Sequence, residues 1–184
     1  MGSASSSRSV LVAALALLGF SSGAQAKVFH SRAEALEVTF PDADRVESKV
    51  FVLDAEQVER VEALANAPLD TKLVKFYTGF RGEEVVGYAY VDIHTVRTLP
   101  EALMIVLGPR GSVRSLSVLA FHEPLDYLPT QRWYRQFDGR SLDASLRLGG
   151  EIHGISGATL SARATTLGVR RALALYEVLL REGR

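Results

Sequence analysis

The chain has 184 residues, with 21 basic and 21 acidic side chains and no cysteine. That length suits one domain with its own core, and the balanced charge argues against a nucleic-acid partner, which requires a basic excess or stripe. The lack of cysteine excludes disulfides, haem attachment through C-x-x-C-H, iron–sulfur ligation and a lipoprotein anchor.

Residues 1–26 read as a secretory signal peptide. Arg8 is their only charge, Val10 to Phe20 forms a short apolar core, and Ala24-Gln25-Ala26 is a small-x-small cleavage pattern. The apolar core is about half of the ~20 residues that span a bilayer, which favours a cleaved signal; an uncleaved, membrane-associated N-terminus is the alternative. Export without cysteine points to a periplasmic or other extracytoplasmic location rather than a disulfide-built secreted fold.

From residue 27 onward the pattern predicts a single α+β domain. Ser31 to Phe40 reads as a short helix capped by Ser31, with Ala33, Leu36 and Phe40 on one face. Arg45 to Leu53 alternates as a strand through Val46, Val50 and Val52. Asp54 caps a second helix, Ala55 to Ala65. Leu73 to Phe80 and Val85 to Ile93 form a hairpin around Arg81-Gly82-Glu83-Glu84. Leu103 to Leu107 is a short buried strand, and Val113 to Phe121 follows the turn Gly108-Pro109-Arg110-Gly111. Successive hairpins imply an antiparallel sheet. Thr130 to Phe137 reads as a short helix, and 140–150 as a polar loop or short edge strand. A long C-terminal helix runs from Thr159 to about Glu182. At 100° per residue, Thr159, Arg163, Thr166, Arg170 and Glu177 share a polar stripe, read as a solvated face from which Arg163 can reach a negative group at Thr159.

The helix is preceded by His153-Gly154-Ile155-Ser156-Gly157-Ala158-Thr159-Leu160-Ser161. A Gly/Ser/Thr run opening a helix offers free backbone N–H groups and the positive end of the helix dipole, a seat for phosphate. The plainer expectation is a capped start, with Ser156 or Thr159 as the cap.

Ser156-Gly157-Ala158-Thr159, followed by Leu160-Ser161-Ala162 and a helix, resembles the flavinylation motif of the FMN-binding domain family. That family includes the exported FMN-carrying subunits of the Rnf complex and of the sodium-pumping NADH:quinone oxidoreductase. Phe121-His122-Glu123-Pro124 and Trp133-Tyr134-Arg135-Gln136-Phe137-Asp138-Gly139 resemble its upstream region, and the likeness runs from about Thr71 to Glu182. The resemblance implies that residues 27–184 are an FMN-binding domain. It implies an antiparallel sheet flanked by helices and FMN joined by a phosphoester to Thr159 by an exported FAD-dependent flavin transferase. Ser156, Gly157, Ala158, Leu160, Ser161, Glu123 and His153 would surround the cofactor. His153 stands where the family has aspartate; a histidine there can act as the base or pair with the phosphate when protonated. Tyr127, Trp133 and Phe137 are either core or walls for the flavin ring. Glu123 and Gln136 either bond the cofactor or brace their own turns.

The expected function is that of an extracytoplasmic electron carrier, exchanging electrons with a membrane-bound redox protein and turning over no small substrate itself. The alternative is a non-redox periplasmic binding or assembly module that keeps the fold without flavin. His30, His94, His122 and His153 show no zinc-binding spacing, and Gly154-Ile155-Ser156-Gly157 is no hydrolase elbow because position 158 is alanine.

Overall fold

The computed structural model describes residues 27–29 and 31–182. The expected signal peptide, 1–26, and His30 lie outside the described residues. Six strands form one sheet: β1 (Lys27–Val28), β2 (Arg45–Val52), β3 (Leu73–Arg81), β4 (Glu84–Thr95), β5 (Pro100–Leu107) and β6 (Val113–Phe121). Their spatial order is β1-β6-β5-β4-β3-β2, with every neighbouring pair antiparallel. The expected α+β architecture is therefore present, an antiparallel meander closed at one edge by β1. At two residues, β1 is too short to leave a periodic signal in the sequence.

Among the described residues, four α-helices accompany the sheet: α1 (Arg32–Thr39), α2 (Ala55–Ala65), α3 (Gln131–Tyr134) and α4 (Thr159–Tyr176). Ser31 and Asp54 cap α1 and α2 as expected, each in a reciprocal capping box, with Glu34 and Gln57 respectively. Asn66 ends α2 in the left-handed conformation. Thr130 is the cap of α3, not its first residue, and the expected eight-residue helix tightens into a 3-10 turn over Arg135–Phe137.

The sheet has two unequal faces. Phe76, Tyr88, Tyr90, Leu103, Ile105 and Leu107 pack toward α2 and α4, which supply Val61, Ala65, Val169, Ala172, Leu173 and Leu175. Full burial of each large aliphatic side chain there contributes about 2 kcal/mol. The other face carries a smaller cluster, Tyr77, Val86, Ala89, Met104, Val106 and Leu119, under Ala35 and Phe40 of the α1 segment.

β5 starts at Pro100, three residues before the expected start, and β4 continues to Thr95, because the two strands stay in register from Tyr88↔Leu107 to Thr95↔Pro100. Proline is tolerated as the first residue of a strand. α4 is regular to Tyr176 and then widens into a π-helical turn, Glu177–Arg181. Segment 140–150 is a loop, anchored by the fully buried Leu146 and closed by an isolated bridge between Leu148 and Ile152.

Two local expectations are overturned. Neither Ser156 nor Thr159 caps α4: the cap position is Ala158, and no side chain bonds the helix start. The stripe on α4 is a solvated face only at its start, where Thr159 and Arg163 are exposed; farther along, α2 and the 143–148 loop close over it. Thr166 is buried, with its hydroxyl donating to the Ala162 carbonyl. Arg170 donates to the carbonyls of Leu64, Ala65, Asp143 and Leu146.

Candidate functional site

The S-G-A-T segment is held from behind. Trp133 Nε1–H donates to the His153 carbonyl (2.7 Å), and the His153 N–H donates to Gln136 Oε1 (2.9 Å). Gln136 therefore braces the loop backbone. Trp133 and Phe137 belong to the core, stacked edge-on to each other with ring centroids 5.4 Å apart. An Arg140–Glu151 ion pair (2.7 Å) adds a second tie. The chain then turns at Gly157, whose φ of +84° is one that residues with a Cβ rarely adopt.

Because no side chain caps α4, the N–H groups of Thr159, Leu160 and Ser161 face outward at the positive end of the helix. Thr159 is exposed, and its hydroxyl donates to the Ile155 carbonyl at 3.2 Å. Ser161 is only 1% exposed, and its hydroxyl has no hydrogen-bond partner. It lines a pocket of about 280 Å³ together with Gly157, Ala158, Thr159, Leu160, Arg97 and Tyr127. The Arg97 guanidinium lies over the Tyr127 ring at 4.6 Å.

Glu123 acts on this pocket indirectly. Its Oε1 accepts the backbone N–H groups of Arg97, Thr98 and Leu99 at 3.2, 2.7 and 2.9 Å. Those bonds, Thr98 and Leu99 foremost, hold its carboxyl below the ordinary glutamate pKa. Glu123 thus shapes the β4–β5 turn that carries Arg97. His122 donates from Nδ1 to the Pro100 carbonyl of the same turn.

Thr159 also borders a larger cleft of about 590 Å³ on its other side. Arg147, Arg163 and Arg170 line it, with Leu148 and Leu167 as apolar walls. Among the described residues, the guanidinium groups of Arg97, Arg147 and Arg163 have no carboxylate partner. A chain of zero formal net charge therefore concentrates cations around one exposed hydroxyl. The structure brings Gly157, Ala158, Thr159, Leu160 and Ser161 together at these clefts. Ser156 and His153 are exposed on the approach loop and line neither cleft.

Sequence reasoning missed a second polar assembly, under α4. Asp92 and His94 of β4, Glu101 of β5, Arg171 of α4 and Tyr134 of α3 are all buried. Arg171 grips both oxygens of Asp92 (3.1 and 2.7 Å), and His94 bonds Asp92 Oδ2 through Nδ1 (2.7 Å) and Glu101 Oε2 through Nε2 (3.0 Å). The Tyr134 hydroxyl donates to Glu101 Oε1 at 3.2 Å. Burial alone would lower the His94 pKa, but its bonds to Asp92 and Glu101 outweigh burial and raise it to about 9. For Asp92, burial is likewise outweighed, by His94 and Arg171, and its pKa falls below the ordinary aspartate value. With His94 protonated the set is neutral, which is how four charges remain under one helix. Strand parity was the available signal: Asp92 and His94 fall on the same face as the buried Tyr88 and Tyr90.

No family model matches the chain, and no curated protein matches it. Among the described residues, no helix is long and apolar enough to cross a membrane.

Proposed function

We propose that the protein is an extracytoplasmic electron-transfer flavoprotein carrying FMN on Thr159, which relays electrons between a membrane-bound redox protein and an extracytoplasmic acceptor. The observation that carries this reading is the exposed Thr159 hydroxyl at an uncapped helix start between two cation-lined clefts. The residues fit the group. The N–H groups of α4 and the guanidinium groups of Arg97 and Arg163 suit a phosphate. The partnerless Ser161 hydroxyl offers one further donor. The 590 Å³ cleft lies within the range of about 300–1,000 Å³ typical of small-molecule sites. When bound, the flavin supplies the electron chemistry, and the protein supplies its position and electrostatics.

Attachment would be the work of an exported flavin transferase using FAD. In that step Thr159 Oγ1 would bond the FMN phosphorus as the FAD pyrophosphate bond breaks, with AMP leaving and the hydroxyl proton passing to a base. His153, exposed on the approach loop, stands at the position of the family's aspartate.

Co-expression with such a transferase, followed by intact mass and in-gel fluorescence of the denatured protein, tests this reading. We expect a mass increased by one esterified FMN and a fluorescent band, both lost in Thr159→Ala. Fluorescence that survives Thr159→Ala removes the covalent assignment. A colourless protein with no added mass supports the second reading, a non-redox binding or assembly module, which the histidine at position 153 favours.

A further inference from the structure

β2 is the outer strand of the sheet, opposite the edge closed by β1. Seven of its eight residues are exposed, and only Phe51 is half-buried. Its outer row of backbone N–H and C=O groups is a template for another strand. The sheet face beside it is also uncovered where α1 does not reach: Val52, Leu73 and Ile93 are 75%, 61% and 61% exposed.

We propose that β2 is a self-association edge, pairing antiparallel with β2 of a second copy about Ser48 to give one sheet continuous through both copies. The order of residues selects this register. A two-fold axis normal to the sheet opposes only residues of the same face. Val46, Ser48, Val50 and Val52 share one face, and Arg45, Glu47, Lys49 and Phe51 share the other. An axis at Glu47 opposes two glutamates and sets Arg45 against Lys49. An axis at Lys49 opposes two lysines, and axes nearer either end overlap fewer residues. The axis at Ser48 sets Glu47 against Lys49 twice, Val46 against Val50 twice, and Arg45 against Phe51 twice. Opposite charges and paired β-branched residues are the favourable cross-strand partners. The cations are already disposed to such contacts within one chain: Lys49 lies over the Phe51 ring at 4.8 Å, and Arg45 over the Phe80 ring at 4.3 Å. This pairing does not depend on any cofactor.

The chain has no cysteine, so a single introduced thiol reports the register. Paired Cα atoms across antiparallel strands are about 4.5–5.5 Å apart, within disulfide reach. Sedimentation equilibrium across micromolar concentrations should show reversible doubling of mass. Under mild oxidation Ser48→Cys should form a covalent dimer and Val52→Cys should not. Glu47→Lys and Lys49→Glu should each weaken association by about tenfold, and the double charge swap should restore it. These positions are exposed, so unchanged circular dichroism certifies the fold of each variant. A protein that stays monomeric throughout overturns the proposal. So does a dimer that neither charge variant weakens, or a Ser48→Cys variant that crosslinks no faster than Val52→Cys.

Discussion

His94 is held at both ring nitrogens. Each ring nitrogen faces a carboxylate within 3.0 Å, and the side chain is buried beneath α4. Its folded pKa of about 9 stands above the ordinary 6.5. The stability that this proton provides is therefore complete below about pH 6.5 and is lost as pH rises through about 9. The loss is on the order of 3 kcal/mol. Denaturant midpoints measured across this window should fall for the native sequence, while His94→Gln should start lower and show a flat profile. A native midpoint that holds steady to pH 10 would remove the protonated His94 from the account. Residue by residue, legibility divides sharply. Gly157 and Thr159 stand out as a small and hydroxyl-rich helix start, a pattern that reads equally as a cap. Arg97, Arg147 and Arg163 converge on Thr159 from a strand turn, a loop and a helix, and no local pattern links them. Glu101 lay just outside the strand expected from the apolar run, so its pairing with His94 could not be read.

At the level of elements, α4 organises both polar sites. Its first turn presents Thr159 to solvent, and its middle covers the charge network. Gly168 makes the second role possible: a Cβ there would lie 2.5 Å from Asp92 Oδ2 and 3.4 Å from His94 Nδ1. Helix propensity alone favours Gly168→Ala by about 1 kcal/mol. Crowding of a buried ion pair opposes it, and we expect a net loss of about 2–4 kcal/mol by thermal or denaturant unfolding. A stabilised Gly168→Ala protein would show that the network yields to the helix. A lone glycine within a helical pattern is itself a sign of close packing, so this contact was half-legible. The cap was not. Ser156 and Thr159 both have capping side chains, and the turn at Gly157 places Ala158 at the cap position instead. The strands were the most legible elements, because alternation and the intervening turns mark both faces of an antiparallel meander. β1 alone was missed, and the ends of β4 and β5 shifted where their pairing outlasted the apolar run.

The whole molecule is lopsided. Among the described residues, one sheet face is covered by α2 and α4 and holds the larger core, while the other carries α1 alone and leaves valines in solvent. The α+β class and single-domain organisation follow from the order of periodic segments along the chain. The tie between the 143–148 loop and the end of α2 does not, since Arg170 makes it from α4. That one guanidinium gathers carbonyls from the end of α2 and from the loop. Three segments far apart in sequence are thereby tied through one side chain, and we expect them to open as one cooperative unit. Amide hydrogen exchange should find residues 62–66, residues 143–147 and α4 from Ala162 through the turns around Arg170 protected to a common free energy. Arg170→Gln should release the first two groups together, leaving the strands unaffected, whereas independent exchange of these groups in the native protein would dissolve the unit. Access to the Thr159 cleft would then be timed by how often this knot loosens, a clock set about three turns of helix away from the hydroxyl it serves.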